Sequence, residues 1–401
     1  MTLAIKAGLL IDGNGGEALK NAIVLVEGET ITAVGPADKV AIPADAEIID
    51  ASGKTVMPGL IDCHVHMMIN SAALEDHLFT PKAVTYYQAA ENLKRTLRAG
   101  FTTIRDAGEA DAGMRQSLEM GLITGPRLVV SGKIGQTGGL MELRYPSGSQ
   151  IVNQESWRIC DGVADVRKTV RKVLREEVDF VKTFATGGVV APQGSPFIPE
   201  WTLPELQVMV EEASRRGVGV MAHAESAVGV KNALRAGVTS IEHGYALDQE
   251  AIDLFLEKDI FLVATLHISK VVAQRQASLS EVSKRKKEQL LKAQAGWFRK
   301  ACQAGVKVAL GSDAFIADMH GANAVELELM MDTGGISAMK AITAGTKNAA
   351  ECCLLGDKIG TLEAGKAADI LLVDGNPLDD ITVLQHPERI RVYQAGIPVE
   401  E

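Results

Sequence analysis

Two histidines two positions apart, His64 and His66 in the run PGLIDCHVH at 58–66, are the first clear sign of chemistry in the chain. Residues i and i+2 of a β-strand point to the same side, so both imidazoles can reach one metal ion. Lys182, His223, His243 and Asp313 follow in order. Each of the six lies at the C-terminal end of a short apolar, β-branched-rich run, where a (β/α)8 barrel gathers its catalytic groups. Imidazoles and carboxylates are good ligands for zinc and related ions, so a single site built from the six makes a metal hydrolase the leading reading.

Lys182 needs separate treatment, because an ammonium is not a metal ligand. It sits inside Phe180-Val181-Lys182-Thr183-Phe184, where desolvation lowers the pKa and favours the neutral amine. A neutral amine can react with CO2 to give a carbamate, an anionic two-oxygen group able to bridge two metals. A lysine simply paired with a carboxylate is the other reading of these residues.

Eight apolar runs alternate with helix-like segments over the middle of the chain: GLIDCHVH, FTTIRDAG, RLVVSG, FVKTFATGG, VGVMAHAE, SIEHG, IFLVATL and VKVALGSD. Eight parallel strands close a barrel, and the 20 residues from His223 to His243 hold one short helix and a return strand. The spacing predicts helices at 203–216 and 228–236, ended by Gly217 and Gly237. Short strands fill residues 1–57 and recur near the C-terminus, in KAADILLVDG and RIRVYQAG. The expected architecture is therefore a TIM-like barrel at 58–355 with a small β-sandwich built from 1–57 and 356–401. Connections 133–152 and 187–201 are long and rich in Gly and Pro, which makes them candidates for a substrate wall or lid.

Of the 401 residues, 46% are hydrophobic and 23% charged, as in ordinary globular proteins, and the formal net charge of −10 argues against nucleic-acid or anionic-membrane partners. The one basic cluster, 284–287, reads as a solvated helix face. No run of about 18 apolar residues is present, and the N-terminal stretch is broken by Lys6 and Asp12 without a cleavage site, so a cytoplasmic protein is expected. Five cysteines without CxxC spacing indicate neither a disulfide framework nor a thiolate zinc site. Cys63 alternates with His64 and is expected to pack away from the chemistry, and Cys352 and Cys353 to pack at a helix end.

Taken together, PGLIDCHVH, the strand-borne Lys182, His223 in MAHAE, His243 in IEHG and Asp313 in LGSD resemble the amidohydrolase superfamily in its binuclear, carboxylated-lysine subtype. IGTLEAGKAADILLVDG at 359–375 extends the likeness to the return into the β-domain. The resemblance implies one ion held by His64, His66 and Asp313, and a second by His223 and His243. Lys182, as N6-carboxylysine, bridges them, and zinc is the first choice of metal. It further implies a metal-bridging hydroxide that attacks a carbonyl, with Asp313 as general base and then general acid. A small-molecule substrate and a homo-oligomer are also expected.

Within the superfamily the chain is similar to the imidazolonepropionase-related, prolidase-like group, which contains Xaa-Pro and Xaa-Arg dipeptidases. ATGG at 185–188, EHG at 242–244 and the SGK…TGG segment at 131–139 carry that likeness. In the dipeptidases a His follows the TGG and a Tyr stands two positions after the fifth-strand His; here Leu140 and Glu225 occupy those places. The departure favours an amide hydrolase acting on a small substrate, such as a dipeptide or N-acyl amino acid, with poor turnover of simple Xaa-Pro dipeptides. A neutral or basic leaving group is preferred, because Leu140 removes a donor for a substrate carboxylate and Glu225 repels one. Alternatives are a carbamate or ester hydrolase, a mononuclear deaminase or cyclic-amide hydrolase of the imidazolonepropionase type, and, more remotely, a non-enzymatic scaffold.

Glu225, Tyr245 and His267 lie within three residues of a strand end and are candidate substrate contacts; His320, seven residues after Asp313, is a candidate for the cavity mouth. Arg105 and Asp106 either shape the pocket or form a buried inter-strand ion pair. His77 and His386 read as surface or helix residues.

Overall fold

The computed structural model describes residues 2–71, 73, 76, 79–143, 157–189, 195–274 and 281–400. Four strands open the chain: β1 (Thr2–Leu10), β2 (Leu19–Glu27), β3 (Thr30–Pro36) and β4 (Glu47–Pro58). The central region holds β5 (Leu60–Val65), β6 (Phe101–Asp106), β7 (Arg127–Val129), β8 (Ser131–Gly135), β9 (Trp157–Ile159) and β10 (Phe180–Phe184). It continues through β11 (Gly219–Ser226), β12 (Ser240–Ala246) and β13 (Phe261–Val263). The chain closes with β14 (Ile370–Val373), β15 (Ile390–Gln394) and β16 (Ile397–Pro398).

Both chain ends enter one mixed sheet, ordered β16-β15-β14-β4-β1-β2-β3, in which β14 runs antiparallel to β4 with Ile370 opposite Pro58. Side-chain alternation decides what each face meets. Ile370 and Leu372 join Ile5, Val24 and Val56 in the core of the β-sandwich, whereas Leu371 and Val373 join the large cluster of the barrel.

The barrel is a ring of parallel staves. Strands β5-β6-β7 form one arc and β13-β12-β11-β10-β8 the other, with β9 as an extra strand beside β8 that the sequence pattern does not announce. The predicted third strand is split at Val130, whose carbonyl accepts the Asp179 and Phe180 amides at 2.9 and 3.1 Å. The predicted eighth strand is not a regular strand. Segment 306–314 bridges at Val308 to Leu262 and at Ala314 to Val65, and the Cys63 amide bonds the Leu310 carbonyl at 2.8 Å, so the ring still closes. The pleat fails there because Gly311 passes so close to β5 that a Cβ would sit 2.9 Å from that of His64, and because Asp313 is left-handed with φ 52°.

Helices fill the return connections largely where the periodicity places them. Leu203–Ser214 begins with a reciprocal Thr202–Glu205 capping box, and Ala227–Ala236 ends on left-handed Gly237. The basic residues at 284–287 lie on helix Glu281–Ala304. Among the described residues no helix is long and apolar enough to cross a membrane.

Ring closure depends on a buried carboxylate. Asp62 accepts the His64 and Ser312 amides at 3.0 and 3.1 Å, the Ser312 hydroxyl at 2.6 Å and the Asn323 amide at 2.8 Å. It thereby pins β5 to the closing stave. Removing it strands several buried donors, so Asp62→Ala is expected to lower stability by about 2–4 kcal/mol. Urea denaturation measures this, and a loss below about 0.5 kcal/mol, the level of an ordinary surface change, would contradict the clamp.

Candidate active site

The six residues converge at one end of the barrel. His64 and His66 come from β5 and the residue after it, Lys182 from β10, His223 from β11, His243 from β12 and Asp313 from the closing stave. Asp313 Oδ1 lies 3.6 Å from His64 Nε2 and 3.3 Å from His66 Nε2, and ligand atoms of these three residues fall within 4.8 Å of one another. The His223 and His243 rings are 4.5 Å apart, and His243 is 5.2 Å from His64. All six line one cavity of about 1110 Å³, including its open mouth.

The imidazoles are oriented from behind. His64 Nδ1 is 2.6 Å from Glu242 Oε2, His66 Nδ1 is 2.5 Å from Glu109 Oε2, and His243 Nδ1 is 2.8 Å from Thr265 Oγ1. An outer Nδ1–H bound in this way leaves Nε2 as the inward lone pair, the arrangement in which histidine ligates metals. His223 Nε2 is buried without a hydrogen-bond partner among the described residues. Such an orphan costs about 1–3 kcal/mol, and a cation would satisfy it. Backbone strain gathers here as well: His243, Thr265 and Asp313 all have positive φ, at 75°, 51° and 52°. Strain of that kind persists where the surroundings hold a functional geometry.

Burial and neighbouring charge set the protonation. Burial, then the Lys182 ammonium and His64, push His223 down to about 3. Burial opposes charge on His66, but Glu109 and Asp313 overcome it and lift His66 to about 9. Lys182 is lowered by burial to about 8 against the pull of Glu242 and Asp313. Asp313, though buried, is held low by His64 and His66, and Glu242 is held at about 2 by Arg105 and His64. His64, His223 and His243 are thus held neutral and Asp313 ionised, while His66 carries a proton.

Arg105 belongs to the barrel interior and not to the pocket wall. It is wholly buried, donates to Glu242 Oε1 and Ser240 Oγ at 3.1 Å and to the Cys63 carbonyl at 2.7 Å, and stacks 4.6 Å from the Phe180 ring. Asp106 accepts the amides of Met67, Gly108, Glu109 and Ala110, shaping the turn that presents Glu109. Cys63, Cys352 and Cys353 pack together behind the site, with Cys63 Sγ 3.7 Å from Cys353 Sγ.

Leu140, Glu225 and Tyr245 line the cavity. The described lining does not include His267 or His320: the His267 amide is bound by Glu326 at 2.6 Å, and His320 Nε2 meets the Ile69 carbonyl at 3.0 Å. His386 is exposed beside Glu388, while His77 and residues 144–152 and 190–194 of the two long connections lie outside the described residues. Sequence reasoning missed Glu109, which follows the second strand by three residues, and Lys133, which pairs in register with Lys182 across β8 and β10. An acid just beyond a barrel strand end was the available signal for Glu109.

The sequence matches the amidohydrolase family over residues 55–396. The chain belongs to that family. It is 32% identical to ochratoxinase of Aspergillus niger, covering 98% of this chain and 85% of that protein. It is 26% identical to imidazolonepropionase of Geobacillus sp. (strain WCH70), over 89% of this chain and 84% of that one. The crystal structure of a prolidase complexed with N-methylphosphonate-L-proline superimposes with a TM-score of 0.92 at 32% identity, covering 100% of both chains. This amidohydrolase is accordingly a hydrolytic enzyme that cleaves amide bonds of small molecules, in a family that uses divalent metals.

The proton on His66 yields a testable consequence for the amidohydrolase. With a pKa of about 9 in the metal-free protein, His66 is protonated at pH 7 and must lose that proton to ligate. Zinc uptake at pH 7 is expected to release at least one proton, with apparent affinity rising about tenfold per pH unit until His66 is neutral. Calorimetry in buffers of different ionisation heat counts the protons, and proton-neutral binding would contradict the assignment.

Proposed function

We propose that the enzyme is a binuclear metal-dependent amidohydrolase. His64, His66 and Asp313 hold one divalent ion, His223 and His243 a second, and Lys182, carboxylated on Nζ, bridges them, with zinc as the first choice. The observation that carries this reading is the convergence of six ligand-type side chains whose imidazoles are held from behind, together with the buried orphan nitrogen of His223. Residues 58–355 form the hydrolase barrel in this reading, and 1–57 with 356–401 the second domain.

When bound, the ions supply a Lewis acid for the substrate carbonyl and acidify the attacking water. The chain's own residues do the rest. Asp313, ionised and 3.3 Å from His66 Nε2, takes the proton of the water and hands it to the leaving nitrogen. Lys182, with its pKa near 8, has a neutral fraction at neutral pH. In that form the amine nitrogen bonds the carbon of CO2 and loses a proton, giving the carbamate. The upper wall is apolar, with Ile69, Leu140, Met141, Phe184, Val189 and Phe315, so the acyl part of a dipeptide or N-acyl amino acid is expected to be apolar and sizeable. Lys182 inside the cluster favours two ions over the single ion of an imidazolonepropionase-type enzyme, and metal analysis near two per chain is the deciding measurement.

Lys182→Ala is expected to lose the bridged pair, with metal falling well below two per chain and activity returning in part when a short carboxylic acid is added. Full activity with two metals in that variant would defeat the carbamate. Asp313→Asn is expected to keep most of the metal but lose about 10²–10⁴-fold in kcat. If only KM moves, the proton transfers belong to another group.

A further inference from the structure

We propose that Glu326 is a positioning residue for the His223–His243 half of the site: it caps the helix that follows β13 and so holds Thr265 where its hydroxyl orients His243. The inference rests on the binuclear reading above and deepens it by naming a side chain, far from the cavity, on which one ion depends. His64 and His66 are each backed by a carboxylate, Glu242 and Glu109, whereas His243 is backed by the neutral hydroxyl of Thr265 at 2.8 Å. A hydroxyl holds an imidazole less strongly than a carboxylate does, so the direction of His243 depends on how firmly Thr265 is itself fixed.

Thr265 is not fixed by its own backbone preference. Its φ is 51°, and a β-branched residue in the left-handed region is strained. Its neighbours supply the constraint. On one side the Ala264 carbonyl accepts from Gln294 Nε2 at 3.3 Å. On the other, helix Leu266–Gln274 begins at once, and its first amides have no partner within the helix. Glu326 meets them from helix Val325–Gly334: Oε1 accepts the Leu266 amide at 2.8 Å and Oε2 the His267 amide at 2.6 Å. The carboxyl group is thus a helix cap contributed from another helix, and with Glu326 only 1% exposed solvent does not share its place. Burial lifts this carboxyl to about 8, and it keeps acceptor oxygens for the amides whether ionised or protonated. Without the cap, the turn at Thr265 relaxes towards an ordinary backbone conformation, and the hydroxyl leaves His243 Nδ1. None of these hydrogen bonds involves His64, His66 or Asp313, so the ion held by His223 and His243 is the one that suffers.

The test measures zinc uptake by the metal-free protein and not turnover. Equilibrium dialysis over a zinc series, in bicarbonate buffer and with elemental analysis, is expected to resolve two binding steps in wild type. Thr265→Val removes the hydroxyl behind His243 and so identifies the step that belongs to that histidine. Glu326→Leu, which keeps the side-chain bulk but removes both acceptors, should weaken that same step by about 10- to 100-fold and leave the other within about threefold. Glu326→Gln keeps one acceptor oxygen and should fall between. Combining Glu326→Leu with Thr265→Val should add little to Thr265→Val alone, because Glu326 acts through Thr265. A Glu326→Leu protein with wild-type affinity at both steps overturns the proposal. So does equal weakening of both steps, the result of a general structural loss, or a full additive effect in the double variant. If Glu326→Leu does not fold, Glu326→Gln with and without Thr265→Val carries the same comparison. A wild type that binds a single ion at saturating zinc removes the binuclear reading and the proposal with it, whereas two ions in wild type and unaffected variants overturn the proposal alone.

Discussion

The constraint on which this structure turns is desolvation of charge at the mouth of a barrel. Four imidazoles, a lysine and several carboxylates are drawn out of water onto a few strand ends. An isolated buried charge is costly, so each must have a compensating neighbour or give up its charge. His223 shows the second outcome and Lys182 moves towards it, as both are lowered by burial. The first outcome accounts for the layered pairing behind the metal-ligand candidates.

That pairing has the same form twice. Arg105 backs Glu242, which backs His64; Lys133 backs Glu109, which backs His66. In each triad a cation steadies a carboxylate, and the carboxylate fixes the tautomer and direction of an imidazole. The two triads differ in depth. Arg105 is sealed in the barrel interior against Phe180 and the Cys63 carbonyl, so its role is internal. Lys133 stands at the cavity wall, where through Glu109 it steadies His66. Likeness to ochratoxinase and prolidase fixes the chemistry as amide hydrolysis of small molecules, while these local pairings belong to this chain's own wall.

Six metal-ligand candidates and eight strand-like runs were legible in the sequence because both depend on local rules. Alternation on β5 puts His64 and His66 on one side, and barrel strands deliver their last residues to one rim. The β-sandwich was legible too, from short apolar strands at both ends of the chain. Sequence periodicity carried less information where a stave departs from regular pleating. The closing stave reads as a strand but is bent by Gly311 and left-handed Asp313, and that bend is what turns the Asp313 carboxylate towards His64 and His66.

What the sequence determined by itself is therefore the inventory of ligand-type side chains and the barrel that gathers them, since residue type and strand period indicate both. Only the tertiary structure decided which carboxylate stands behind which histidine. Glu109 is 43 residues from His66 and Glu242 is 178 from His64, separations over which no local period operates. It also decided that Arg105 faces inward to Glu242, that the described cavity lining does not include His267 or His320, and that it does include Lys133. Those outcomes depend on register between strands distant in sequence and on the side-chain packing that follows from it, and no residue in isolation encodes them.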